Sequence, residues 1–301
     1  GDVFLTTPPE GAVAGLGIVL RAKVGPVDLG TTTVISKMTV RDDMGINVST
    51  DAMPRIVGGV PLFLRSMTMR LDREGFMFNA SSCTPRTIDA TLTSFGGASV
   101  STSSPYAPTG CDQLPFEPGF KAVLGAPATA PSMTATMTAR AGDATLSGMS
   151  MTLPRGLAAD MTKLGNTCSE DAFRAGSCPA KSRIGSATAL SAVLPDALSG
   201  PVYFVKRPEE LLPALMVTLR GPVDVPLTIV NTIGEQNRLV STVTDVPDVP
   251  MTSFQLKLDA GALLQGDRGL LCGKQAPQMS AVFTSHSGAQ SKASPAVSVD
   301  C

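Results

Sequence analysis

The chain has 301 residues, with 24 Lys+Arg against 25 Asp+Glu, a single His and no Trp. Charged residues make up 16 % of it, against roughly 25 % in an average soluble domain. That near-neutral balance lacks the basic excess that phosphate neutralisation needs, which argues against nucleic-acid binding, and no apolar run approaches the ~18 residues of a transmembrane helix.

In chain order, the first segment reads as short strands. Ile18-Val19-Leu20-Arg21-Ala22-Lys23-Val24 alternates near its end, and Leu62 to Leu71 does so clearly, with Phe63, Arg65, Met67, Met69 and Leu71 on one face. GAPATAPS at 125–132 has the composition of a linker. Two strands are expected after it, SMTATMTAR and ATLSGMSMTL, joined at Ala141-Gly142-Asp143; Met133, Ala135, Met137 and Ala139 fall on one side of the first. Ser169 to Gly176 is the clearest helix, with a Ser N-cap, acids at Glu170 and Asp171 in the first turn, and a Gly stop. Phe254-Gln255-Leu256-Lys257-Leu258 alternates again, apolar side chains inward. GPVD, DDMG, DREG and GDRG mark turns, and 24 Pro with 29 Gly leave little room for long helices. The expected fold is mainly β: tandem antiparallel β-sandwich-like modules, with one short disulfide-bracketed helix in the middle.

An even count of cysteines (Cys83, Cys111, Cys168, Cys178, Cys272 and Cys301), with no CxxC and one His, favours disulfides over zinc and so an oxidising compartment. The simplest pairing is local: Cys83–Cys111, Cys168–Cys178 and Cys272–Cys301. A straight helix between Cys168 and Cys178 would hold them about 15 Å apart, whereas a bridge needs about 7 Å. Either the chain reverses at Gly176 or these two do not pair.

The cysteine spacing also marks an internal match. GDVFLTTPPE at 1–10 aligns with GPVYFVKRPEE at 200–210, and IVLRAKVGPVD at 18–28 with LMVTLRGPVD at 215–224. Arg70-Leu71-Asp72 then aligns with Lys257-Leu258-Asp259, and Cys83 and Cys111 with Cys272 and Cys301. Residues 1–111 and 200–301 are thus expected to be two copies of one fold. The expected domains are 1–127, a sandwich unit holding the first copy, and 128–301, comprising a strand pair and helix at 128–199 and the second copy at 200–301. A start on GDVFLTT without Met or signal peptide, and a stop on the last cysteine, give the expectation of an excerpt from a longer array.

LPRGL, the Cys-x9-Cys-Pro-Ala-x-Ser-Arg-Ile-Gly stretch at 168–185, and Leu-Ser-Gly-Pro-Val-Tyr at 198–203 resemble a family of secreted actinobacterial repeat proteins. Gly-Val-Pro-Leu at 59–62, Arg-Leu-Asp-Arg-Glu-Gly-Phe-Met-Phe-Asn at 70–79 and the Cys111-x2-Leu-Pro-Phe run resemble its other recurrent block. Where that family has Asn-Pro-Thr-Ser-Cys, this chain has Asn79-Ala80-Ser81-Ser82-Cys83. The resemblance implies a large extracellular, cell-surface or envelope protein built from β modules; it assigns no function to the chain.

Candidate chemistry is sparse. His286 in Phe-Thr-Ser-His-Ser-Gly lacks the leading Gly of a nucleophile elbow and reads as an exposed strand or turn residue. Ser177 to Lys181 has one residue too many for an S-x-x-K motif. Asp42, Asp43, Asp72, Glu74 and Asp259 lie in turns, where acids satisfy local backbone groups. Without Trp, only Tyr106 and Tyr203 offer amphipathic rings to a sugar. Asp42, Asp43 and Asn47 are candidate calcium ligands, but no D-x-D-x-D-G loop occurs. Met67/Met69 and Met149/Met151 have a spacing that suits Cu(I), yet read as core. Lys23, Lys37 and Lys257 lie on strand-like stretches where a Lys–Asn cross-link is conceivable.

These residues lead to a non-enzymatic extracellular structural or adhesive module of a cell-surface, fibre or filament protein. No catalytic, cofactor or metal site is assigned, and the expected partners are copies of itself or neighbouring modules. The alternative is a module that binds a glycan or peptide.

Overall fold

The computed structural model describes every residue except Asp42, Glu74 and Pro195. It is mainly β with short helical turns, and it divides into two units, Gly1–Phe78 and Asn79–Cys301. That boundary replaces the one expected at 127/128. The strand Gly119–Gly125 lies before the linker-like stretch and pairs with Ser132–Thr138 after it, so the two sides share one sheet.

In the first unit, Asp2–Thr6, Ala14–Val24, Val27–Val40 and Ile46–Thr50 form an antiparallel sheet in sequence order. Its core is small: Leu16, Ile18, Val34 and Val57 are buried, with Ser36 Oγ 2.8 Å from Thr50 Oγ1. The strand expected over Leu62–Leu71 does not form, and Phe63 is 87 % exposed. Alternation describes side chains, whereas a strand also needs partners for its N–H and C=O groups. The aligned stretch Met251–Leu258 has a partner on each side, Ser132–Thr138 and Arg183–Ser191.

The second unit is dominated by one thirteen-stranded sheet. Its two end strands, Gln290–Ala293 and Ser298–Val299, are separated in sequence by residues 294–297 alone. Laid flat, twelve strands at about 4.8 Å would span roughly 50 Å, yet the connecting residues reach less than about 20 Å. The sheet must therefore roll until its faces meet, a sandwich-like arrangement. Its core confirms the roll: Phe283 near one end packs edge-to-face on Phe120 near the other, ring centroids 5.8 Å apart, with Met137 and Ala281 buried beside them.

The expected strand pair in 128–199 is corrected by this topology. Ser132–Thr138 pairs with Gly119–Gly125 and Met251–Leu258, whereas Leu146–Thr152 pairs with Leu239–Val243 and Ser280–Ser285. The chain around Gly142 carries them to different parts of the sheet. Met133, Ala135 and Met137 are buried on one face, as their alternation predicts. The two aligned copies are also placed differently. Residues 1–111 straddle both units, while 200–301 lie in the second.

All three local disulfides are present, with Cα separations of 5.8 Å for Cys83–Cys111, 5.3 Å for Cys168–Cys178 and 5.9 Å for Cys272–Cys301. The middle bridge closes because the helix Glu170–Arg174 stops early: Gly176 takes φ +67°, and the Ser177 amide returns to the Ala172 carbonyl at 2.8 Å. Ser169 Oγ caps the other end by accepting from the Ala172 amide at 3.2 Å. This helix covers Val205, Ala214 and Met216, with Phe173 edge-to-face on Tyr203. The GDRG signal marks a helix start, where Asp267 accepts from the Gly269 and Leu270 amides.

Candidate functional site

Several polar groups of the second unit converge on Asp248, in the loop Val246-Pro247-Asp248-Val249-Pro250. Its side chain is 10 % exposed. Oδ1 accepts from the Ser81 amide at 3.0 Å and from the Thr145 hydroxyl, and Oδ2 accepts from the Ser82 amide at 3.2 Å. Arg86 lies 3.6 Å from Oδ2 and also donates to Ser82 Oγ at 3.1 Å. His286 Nδ1 stands 4.0 Å from the same carboxylate oxygen. Burial pushes this carboxyl up, but the Thr145 hydroxyl, the Ser81 amide, neighbouring His286 and the Ser82 amide together hold it below the ordinary carboxylate value.

A Ser, a His and an Asp therefore come together after all, and His286 is not the exposed residue expected from sequence: its side chain is 22 % exposed. The geometry is nonetheless that of a clamp. His286 Nε2, the nitrogen a nucleophile would need, is 2.8 Å from the Val246 carbonyl. Ser81 Oγ accepts the Thr145 amide at 2.9 Å. The carboxylate is spent on two backbone amides and a hydroxyl. What these bonds do is fix residues 81 and 82, the chain just before Cys83, onto the loops at Thr145 and Asp248.

The clamp and the Cys83–Cys111 bridge sit at the root of one element. From it rises the hairpin Arg86–Thr93/Ser99–Tyr106, paired along its whole length and exposed throughout both strands. One face is a hydroxyl ladder, with Thr93–Ser99 at 2.9 Å, Thr91–Ser101 at 3.1 Å and Ser103 donating to Asp89 at 2.6 Å. The other face carries Ile88, Leu92 and Val100, each about 60 % exposed. Tyr106 closes the root by donating to Asn79.

The remaining sequence candidates are dispersed. Asp43 is held by Arg41 at 2.9 Å and by the Gly45 amide at 3.0 Å, which lower its carboxyl to about 2. Asn47 Oδ1 faces Arg41 at 3.5 Å, so a guanidinium already occupies the Asp43 and Asn47 oxygens considered for calcium. Asp42 and Glu74 lie outside the described residues. Asp72 pairs with Arg70 at 3.1 Å, and Asp259 is exposed. Met151 is buried and Met149 packs on the Phe283 cluster. Met67 and Met69, read as core, are instead exposed, their segment having no sheet partner among the described residues. Lys23, Lys37 and Lys257 are exposed, whereas a Lys–Asn cross-link needs a buried lysine.

Asp248 itself was not singled out by sequence. The available signal was indirect: an acid in a short loop between two prolines, Pro247 and Pro250.

No protein-family model matches the chain, and a search of curated proteins finds no match. Among solved structures, the Enterococcus faecalis MSCRAMM ACE, described as binding its ligands by the collagen hug model, is similar at 8 % identity and a TM-score of 0.28, over 99 % of this chain and 79 % of that one. At that score the likeness says nothing of what this chain binds.

Proposed function

We propose that the chain is a non-enzymatic structural or adhesive module of an extracellular surface, fibre or filament, and that it associates with copies of itself or with neighbouring modules. The observation that carries this reading is the exposed hairpin Arg86–Thr93/Ser99–Tyr106, with an apolar face and, among the described residues, no strand paired to either outer edge, rooted by a disulfide and a buried carboxylate. A two-stranded hairpin is marginal alone in water, and open strand edges are ready to pair with another chain. Three bridges and the absence of free thiols suit an oxidising, extracellular setting. The engagement of His286 Nε2 and Ser81 Oγ in structural bonds supports a scaffold over a hydrolase.

Sedimentation equilibrium of the oxidised chain tests the reading. The weight-average mass is expected to rise with concentration. A monodisperse monomer up to millimolar concentration would overturn the self-associating form of it.

A further inference from the structure

The first unit carries both halves of a strand-pairing interaction, unused. One half is the edge strand Ile46–Thr50, which pairs with Val27–Val40 on one side and, among the described residues, with no strand on the other; all five residues are exposed, Ile46 and Val48 included. The other half is Leu62–Leu71, alternating like a strand but with Phe63, Leu64, Met67, Met69 and Leu71 exposed.

The flanking hydrogen bonds fix which groups of the edge are available. The Arg41 amide bonds to the Gly45 carbonyl and the Asp51 amide to the Ile35 carbonyl, so the odd-numbered residues of this strand turn their groups inward. The N–H and C=O groups of Ile46, Val48 and Thr50 point out of the sheet. We propose that this edge receives Leu62–Leu71 from a second copy of the chain, with each copy giving its strand to the other in a twofold exchange. The proposal rests on the self-association read above and assigns its surface.

The chain's own segment is out of phase for the same place. The turn at Gly58 and Gly59 and the Leu62 amide bonded to the Arg55 carbonyl fix the register of the hairpin Ile56–Val57/Val60–Pro61. Continued backward, that register sets Met67, Met69 and Leu71 opposite Thr50, Val48 and Ile46, an apolar match. It also puts the bonded positions at residues 47, 49 and 51, whose groups are already used inward. Slipping by one residue restores the bonding but sends Ser66, Thr68 and Arg70 to the face of Val48. A strand from a second copy is not tied to that turn, so it takes the apolar match and the bonding together. Its odd-numbered groups are the ones turned away from its own Arg55.

Charge agrees, because Leu62–Leu71 holds two arginines and no acid while Ile46–Asp51 holds one acid and no base. Reciprocal exchange also brings two sets of these apolar side chains together, on the order of 1,000 Å² at aromatic and aliphatic sizes, near the floor of about 1,200 Å² for a specific interface.

The test uses the full oxidised chain in sedimentation equilibrium, comparing wild type with Val48→Lys, Met69→Glu and the double variant. Both positions are exposed, so far-UV circular dichroism should be unchanged in all four. Each single charge is expected to weaken the dimer by about tenfold or more, and the double variant, which places Lys opposite Glu, to recover most of that loss. Association that neither single variant weakens, or that the double variant fails to rescue, overturns this assignment and leaves the broader reading standing. Ile88→Lys on the hairpin arm is measured beside them, and association lost there but kept in both edge variants does the same. A wild-type chain that stays monomeric sinks both.

Discussion

A carboxylate with a tenth of its side chain exposed keeps its charge only where donors replace water, and Asp248 has two amides and a hydroxyl doing so. Truncating it strands those donors in a partly buried setting, at about 1–3 kcal/mol for each group left without a partner. Asp248→Ala should therefore lower the urea stability of the second unit by roughly 2–4 kcal/mol, with the earliest loss of amide protection around residues 79–111. The pH dependence has a definite sign. Because the folded carboxyl lies below its ordinary value, its contribution is complete above the unfolded pKa of about 3.9 and disappears as pH falls through the lower, folded value. Wild type should lose stability more steeply than Asp248→Asn as pH falls below the ordinary carboxylate value of about 3.9. Equal slopes in the two proteins would remove Asp248 from the account.

Among elements, those set by local chemistry were legible and those set by distant pairing were not. Ser169, Glu170, Asp171 and Gly176 spell out a short helix in sequence, and it forms with that cap and that stop. The period-two faces of Ser132–Thr138 and Met251–Leu258 were equally plain. Which strand lies beside which was hidden, because Met251–Leu258 inserts between two strands more than fifty residues away in either pairing. One residue records that insertion. Gly185 sits at the bulge of Arg183–Ser191, and a Cβ there would stand 1.9 Å from the Lys257 carbonyl oxygen. Gly185→Ala must push the central strands apart and should cost about 1–3 kcal/mol in denaturant unfolding. Gly165→Ala is the control, since a Cβ at Gly165 meets nothing within 4 Å; it should be neutral or slightly stabilising. Similar losses in both would mean that the close approach is not what Gly185 serves.

At the scale of the molecule, the cross-links divide the chain unequally. All three lie in Asn79–Cys301, leaving Gly1–Phe78 with none and with a core of few side chains. Small units without staples are marginal, whereas the Cys272–Cys301 bridge, spanning 29 residues, contributes on the order of 3–4 kcal/mol in the chain-entropy model. The internal sequence match concealed this asymmetry: it joins residues 1–111 into one copy, although the first unit ends at Phe78. Calorimetry should then show two transitions. Reductant, or a Cys272→Ser/Cys301→Ser variant, should lower the upper one and leave the lower one in place. If strand exchange occupies the edge at Ile46–Thr50, the lower transition should also climb with protein concentration, because association stabilises only the folded form that binds. Met69→Glu should flatten that climb without touching the upper transition. A single transition that reductant moves as a whole would mean that the two units unfold as one, and that stapling the second already secures the first.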